Sequence, residues 1–283
     1  MKVALWGAGL LGKPIVLRLS KFYEVIVSNR TYDKVLDLEQ KGIKVLNFDE
    51  SLKFSDLIIL VLTDYKAIEE TLLKNKNLLF RKNIIQMGTI LPDESKYLHQ
   101  EITNYGGNYI EAPVLGSGRE AEGGKLIIMI SGLKDVVEKC KDIFGNLGKI
   151  YYLGNEIGKA STLKLALNQL IASLTVAFSY SLSLIMKEKI DCNVFMDILR
   201  NSALYAPTFD KKLNKMLEND FSNPNFPLKH LLKDVQLIRK VGNKLNLNNV
   251  AINSIEKILE KAINLDYSNE DYSALFKVIK NEV

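Results

Sequence analysis

Val3-Ala4-Leu5-Trp6-Gly7-Ala8-Gly9-Leu10-Leu11-Gly12 is the stretch that decides the fold. A short apolar run, the pattern of a buried strand, passes directly into G-x-G-x-x-G. In that motif the first glycine permits a tight turn and the second lets a backbone approach a pyrophosphate. The third lets helix and strand pack closely. The helix that follows offers N–H groups and a partial positive charge to phosphates. Three glycines after a strand can also be plain turn chemistry. Here a helical pattern, Leu10–Ser20, follows, and a second β-rich run, Val25–Ser28, comes at the spacing of a βαβ unit. The expectation is a dinucleotide cradle, with Gly7, Gly9, Leu10, Leu11 and Gly12 at the cofactor phosphates.

The second strand ends in Asn29-Arg30-Thr31. An acidic residue about twenty residues beyond the glycines would bind the ribose 2′-hydroxyl of NAD. Asn29 stands there instead, so a 2′-phosphate meets no repulsion, and Arg30 can bind it through charge-assisted bonds. Asn29 and Thr31 can add neutral donors. NADP(H) is therefore expected over NAD(H), against the plainer reading of an Asn-Arg pair capping the next helix.

Outward from this unit, β-rich runs alternate with amphipathic ones. Leu57–Leu62, Ile84–Met87, Tyr109–Ala112 and Ile127–Ser131 read as strands. Tyr32–Lys41, Lys66–Leu73 and Asp93–Tyr105 read as helices. Such alternation predicts a mostly parallel, doubly wound sheet. Near residue 155 the pattern changes. Gly158 to Met186 reads as one long helix, followed only by helical patterns: Cys192–Arg200, Thr208–Leu217, Pro227–Leu245, Val250–Leu265 and Asp271–Val278. The expected division is a Rossmann-type α/β domain over residues 1–157 and an all-α domain over 158–283, joined by the long helix.

Composition narrows the class. The 283 residues are 47% hydrophobic and 25% charged, which excludes disordered and collagen-like chains. Two cysteines, Cys140 and Cys192, make neither a disulfide framework nor a Cys-built zinc site, and with two histidines, His99 and His230, no metal centre is expected. The net charge of +5 comes from 32 Lys and 6 Arg dispersed along the chain, a solvated surface rather than a nucleic-acid footprint. Leu170 to Met186 carries no charge but is studded with Ser, Thr and Tyr. It is expected inside a core or a subunit interface of a homodimer or homotetramer rather than in a membrane. A cytoplasmic protein is expected.

Lys164 and Asn168 sit four apart at the start of the long helix and share a face. Lys164 is the only charge between Lys159 and Lys187. Burial of such an amine lowers its pKa toward neutrality, as a general acid requires. By pattern alone, a snorkelling surface lysine fits equally well.

Three further segments follow the glycine motif in order: Glu111-Ala112-Pro113-Val114-Leu115-Gly116-Ser117, then Gly158-Lys159 through Lys164 to Asn168, then Phe226-Pro227-Leu228-Lys229-His230-Leu231-Leu232-Lys233-Asp234. Together they resemble the β-hydroxyacid dehydrogenase family over nearly the whole chain, most closely its glyoxylate/succinic semialdehyde reductase branch. The resemblance implies NADP(H)-dependent interconversion of a small aldehyde or keto acid and its hydroxy acid. It gives Lys164 as general acid/base and Asn168 as the residue holding substrate and lysine. Thr89 would lie near the nicotinamide and substrate, Gly116 and Ser117 would bind the substrate carboxylate, and Lys233 would contact the cofactor. Phe226 and Asp234 would form the rim of the substrate site.

Two departures bear on the substrate. The family loop reads Ala-Pro-Val-Ser-Gly, and Leu115 stands at the serine. Ala160 stands where a second glycine before the lysine is common. Losing the serine hydroxyl leaves Ser117, backbone N–H groups or Arg119 to hold a carboxylate, or implies a less acidic substrate. Imine reduction on the same fold and a non-catalytic NADP-binding sensor or scaffold are the alternatives.

Overall fold

The computed structural model describes residues 2–281, which fall into two compact units that divide between Lys164 and Leu165. The division lies inside the long helix, beyond the boundary after residue 157 that the change of pattern suggests. The helix itself spans Lys159–Lys187.

The first unit holds nine strands: β1 (Val3–Trp6), β2 (Val25–Ser28), β3 (Lys44–Val45), β4 (Leu57–Leu60), β5 (Asn83–Gln86), β6 (Asn108–Glu111), β7 (Val114–Leu115), β8 (Leu126–Ile130) and β9 (Gly148–Tyr152). The first six form one parallel sheet in the order β3-β2-β1-β4-β5-β6. That is the doubly wound order whose ligands bind beyond the carboxyl ends of the strands, where the order reverses beside β1. β7, β8 and β9 form a second, smaller sheet in which β7 runs antiparallel to β8.

Strand β1 lies at the reversal and is buried on both faces. Val3 and Leu5 pack into one apolar layer and Ala4 and Trp6 into the other. Successive strand side chains alternate between faces, so a parallel sheet covered on both sides needs such unbroken apolar runs. The one polar atom this strand's side chains bury is satisfied: Trp6 Nε1–H donates to Ser51 Oγ at 2.8 Å.

The second unit is helical. Beyond the rest of the long helix it contains Cys192–Arg200, Pro207–Leu217, Leu228–Lys244, Val250–Asn264 and Leu275–Lys280. Asp191 caps the first of these by accepting from the Asn193 N–H, and Pro207 opens the second with its φ already set. The Phe178 and Phe209 rings stack with centroids 4.7 Å apart within the core. Lys212 is buried there against Asp271, its ammonium 4.3 Å from the Tyr272 ring centroid.

The long helix is the only one among the described residues long and apolar enough to cross a membrane, by length and composition. About a third of its apolar window is buried within the chain; Asn168, Thr175, Ser179 and Ser183 are buried, whereas Leu170, Tyr180 and Leu184 are exposed, so the core covers the helix less than its apolar sequence suggests.

Candidate functional site

Each unit carries its own set of candidate residues. In the first unit, β1 leads into the glycine turn. Gly7 has φ +102°, and a Cβ there would lie 2.3 Å from the Val61 carbonyl oxygen. At Gly12 a Cβ would lie 1.8 Å from the Gly7 carbonyl oxygen. Both glycines are forced by close packing. Gly9 is different: a Cβ there would meet nothing within 4 Å. Its bare backbone faces open space at the end of β1. The N–H groups of Gly9, Leu10 and Leu11 have no protein acceptor among the described residues. They sit at the start of helix Gly12–Leu19, where the dipole favours an anion. This cradle fits a pyrophosphate.

Asn29 does something the sequence did not suggest. Its Oδ1 accepts from the Ala8 N–H at 3.0 Å, and its Nδ2 donates to the Thr31 carbonyl at 2.8 Å. The side chain ties the end of β2 to the glycine turn, so Asn29 shapes the cradle and has only part of its donor capacity left for a phosphate. Arg30 and Thr31 are exposed, and their side chains make no hydrogen bond or ion pair among the described residues. Arg30 is thus a solvent-exposed cation just beyond the end of β2.

Thr89 follows the end of β5 and is half-buried. Gly88 before it approaches the β4 loop, its Cβ position 2.6 Å from the Leu62 carbonyl oxygen. Gln86, the last residue of β5, is 1% exposed, and neither atom of its amide has a partner among the described residues. A lone buried amide leaves no mark in the sequence, because what betrays it is the lack of a hydrogen-bond partner among its neighbours.

The Gly116–Ser117 loop is less available than the resemblance implies. Ser117 caps the short helix Gly118–Gly123. Its N–H donates to Glu120 Oε2 at 2.8 Å, and its hydroxyl bonds the same carboxylate. A carboxylate of the chain itself already takes the donors expected to bind one from a substrate. Leu115 is half-buried in β7.

Glu111, the last residue of β6, is 1% exposed. Its Oε2 accepts from the Gly158 N–H at 2.9 Å and the Ala160 N–H at 3.2 Å, and Ser161 Oγ bonds Oε1. A buried carboxylate thus caps the helix that carries Lys164. The motif containing Glu111 was legible, but its role was not, because its partners lie about fifty residues downstream.

Lys164 and Asn168 lie on one face of the long helix, Lys164 half-buried and Asn168 1% exposed. In the second unit Asn168 Nδ2 donates to Asp234 Oδ2 at 2.6 Å. Asp234, on helix Leu228–Lys244, is 2% exposed, so it is a buried partner of Asn168 within this unit. Asn168 Oδ1 and Asp234 Oδ1 are buried without a hydrogen bond among the described residues. Lys233 Nζ stands 3.0 Å from Asp234 Oδ1, an ion-pair contact lacking hydrogen-bond geometry. Phe226 is half-buried, its ring parallel to His230 at 6.4 Å and edge-on to Tyr272 at 5.7 Å. No group of three or more potential metal ligands occurs among the described residues.

Comparison with known proteins adds to this geometry. Residues 2–154 match the family model for the NAD-binding domain of 6-phosphogluconate dehydrogenase, and residues 158–279 match that for the NAD-binding region of NADP-dependent 3-hydroxyisobutyrate dehydrogenase. Glyoxylate/succinic semialdehyde reductase 1 of Arabidopsis thaliana is 31% identical, the match covering 99% of each chain. Cytokine-like nuclear factor N-PAC of Drosophila melanogaster is 30% identical over 95% of this chain, which spans only 46% of that protein. A 3-hydroxyisobutyrate dehydrogenase structure from Salmonella typhimurium superposes with a TM-score of 0.89, covering 98% of this chain and 99% of that one at 18% identity. That likeness is one of fold.

Proposed function

The chain belongs to the β-hydroxyacid dehydrogenase family, and from that membership we propose that it is an NADP(H)-dependent reductase of small aldehydes and keto acids, working through Lys164. The observation that carries the reading is the Lys164–Asn168 face, with Asn168 fixed by the buried Asp234. The Asp234 bond fixes the Asn168 amide and leaves its buried Oδ1 as an acceptor without a hydrogen bond among the described residues.

The nicotinamide cofactor supplies the hydride. Lys164, as ammonium, donates a proton to the oxygen of the carbonyl being reduced and stabilises the negative charge developing there. Asn168 orients that amine. Gly9, Leu10 and Leu11 hold the pyrophosphate through their backbone N–H groups. Arg30 binds the 2′-phosphate, and the absence of a carboxylate at Asn29 removes repulsion. Thr89 in the first unit is read as a nicotinamide contact, and Lys233 and Phe226 in the second as cofactor and substrate contacts, each from the family resemblance.

The engagement of Ser117 by Glu120, together with Leu115, supports a substrate that needs no carboxylate grip at this loop. Methylglyoxal, which carries no carboxylate, is expected ahead of glyoxylate and succinic semialdehyde. Leu170, Tyr180 and Leu184 expose an apolar stripe on the long helix, which supports a homodimer or homotetramer. Light scattering that gives a monomer at micromolar concentration would remove that part of the reading. Free Cys140 and Cys192 suit a reducing compartment such as the cytoplasm.

The test is steady-state oxidation of NADPH, with NADH in parallel, against glyoxylate, succinic semialdehyde, methylglyoxal and tartronate semialdehyde. Turnover is expected, with NADPH preferred. Lys164→Ala is expected to keep NADPH binding and lose about 10²–10⁴ in kcat. Arg30→Ala should raise KM for NADPH about tenfold or more and leave NADH unchanged. Tight NADPH binding without turnover of any carbonyl or cyclic imine would sink the enzymatic reading and favour a binding module.

A further inference from the structure

Glu111 sits at a junction that the reaction chemistry does not itself require. It ends the sixth strand of the parallel sheet, and its carboxylate is nine-tenths buried or more, at 1% exposure. Both oxygens are used. Oε2 takes the N–H groups of Gly158 and Ala160, and Oε1 takes the Ser161 hydroxyl. These are the first residues of the long helix and the one before it. Gly158 has φ +101°, which a side chain would strain, and a Cβ there would lie 2.8 Å from Lys96 Cε. Only glycine turns this N–H to the carboxylate so readily.

The two oxygens constrain different motions. Bonds from backbone N–H groups to Oε2 fix how far the helix start stands from the sheet. The Ser161 bond to Oε1 fixes the helix's rotation about its own axis. Lys164 lies three residues after Ser161, on the same face and about 4.5 Å along the axis. Asn168 continues that face one turn further on. A carboxylate at a helix N-terminus is also favoured by the dipole and by charge-assisted bonding, so the anchor is stiff.

We propose that Glu111 is a positioning residue: by clamping Gly158, Ala160 and Ser161 it sets the rotation and height of the helix and so the place at which Lys164 presents its amine. Its catalytic consequence rests on the reading of Lys164 given above; the clamp itself does not. Misplacing a reacting group by about 1 Å can cost on the order of a hundredfold in rate. Partial loosening of one bond should therefore appear in kcat rather than in cofactor binding.

The experiment compares wild type, Glu111→Gln and Ser161→Ala. Glu111→Gln keeps the shape and one acceptor oxygen; Ser161→Ala removes one bond and leaves a good helix former, so it keeps the fold accessible if the first variant does not. Lysine amines are labelled by reductive ¹³C-methylation, and the Lys164 resonance is assigned by its loss in Lys164→Arg. In both clamp variants that resonance should shift while the other lysine resonances stay. With NADPH and the best carbonyl, kcat should fall about tenfold, with KM and NADPH affinity within about twofold. The isotope effect with cofactor deuterated at the transferred position should rise, because hydride transfer becomes more rate-limiting. An unmoved Lys164 resonance, or an unchanged kcat and isotope effect in an active enzyme, overturns the proposal. If wild type reduces no carbonyl, the functional reading fails, and the resonance alone decides the clamp.

Discussion

Two buried acid sites of the second unit differ in how completely their oxygens are used. Asp271 is fully enclosed, at 0% exposure, and saturated. Lys212 Nζ lies 2.8 Å from each of its oxygens, and the Ser273 N–H and hydroxyl donate to Oδ1 at 3.1 and 2.7 Å. Asp234 is almost as deeply buried but receives only the Asn168 amide as a hydrogen-bond donor, and Asn168 in turn keeps an unused Oδ1. An unsatisfied buried polar group costs about 1–3 kcal/mol. Asp234 Oδ1 has only the Lys233 ammonium, 3.0 Å away and outside hydrogen-bond geometry, so the chain saturates one acid and leaves one oxygen of the other, with one of Asn168, without a hydrogen bond. Glu111 in the first unit belongs with Asp271: three donors, both oxygens used. Asp271 and Glu111 are acids with every oxygen hydrogen-bonded, and Asp234 is a buried acid with one oxygen left over; whether that difference separates fold from function is what the variants below decide.

The largest effect expected from this contrast is at the saturated pair. Lys212→Met leaves Asp271 buried without its main donor, and breaking such a pair by removing one partner costs about 3–5 kcal/mol. Urea unfolding should show that loss, and the folded fraction should keep the wild-type kcat. A loss under about 1 kcal/mol would mean that burial of Lys212, which itself lowers the amine's pKa against the pull of Asp271, already cancels the attraction.

Asp234→Asn probes the other member of the contrast. The new amide still offers an oxygen to Asn168 Nδ2, so the fold should stay within about 1 kcal/mol of wild type. Turnover should fall about 10- to 100-fold in kcat/KM, through loss of the charge that fixes Asn168 beside the lysine. If instead stability falls and kcat/KM holds, the deficit at Asp234 is a packing defect and the contrast breaks. A smaller change is expected in the first unit: Glu120→Gln should weaken the hold on Ser117 and raise kcat/KM for glyoxylate several-fold relative to methylglyoxal. Equal changes for both substrates would separate this loop from substrate choice.

How much of this was legible in the sequence depended on the range of the interactions. The first two strands were read to the residue, since both are unbroken apolar runs closed by turn or polar residues. The long helix was displaced by one residue at each end. The strands Lys44–Val45, Val114–Leu115 and Gly148–Tyr152 were missed, as were the helices Phe48–Phe54, Lys134–Lys139 and Lys141–Leu147. The two-residue strands carry too few positions for a period of two to register. The last strand, Gly-Lys-Ile-Tyr-Tyr, is mostly exposed and pairs only along one edge. Among site residues, the glycine turn was legible because its chemistry is local. The Asn29 tie to Ala8 spans 21 residues and the Glu111 clamp 47 to 50. No local pattern encodes such partners. The engagement of Ser117 by Glu120 is local and has the S-x-x-E spacing of a capping box, which is compatible with either a cap or a ligand-binding serine.

Deficit alone does not define a site, and His99 sharpens the rule. Its Nδ1 is buried with no partner among the described residues, yet it lies on helix Pro92–Asn104 beside Tyr109, with no other candidate residue on that helix. Burial lowers its pKa below 6.5. The folded chain therefore resists a proton that the unfolded chain accepts. The contribution of neutral His99 is present above pH about 6.5 and is lost as the pH falls through that value toward the folded pKa. His99→Phe keeps a ring against Tyr109 and cannot titrate. The stability gap between wild type and this variant should shift against wild type between pH 7 and pH 5, read from urea midpoints, while kcat stays the same. A gap that does not change with pH would show that His99 binds its proton equally in both states. What separates Asn168 and Asp234 from His99 is then their pairing: two deficits joined by one hydrogen bond, one helical turn from a lysine, against one nitrogen hidden by an aromatic neighbour.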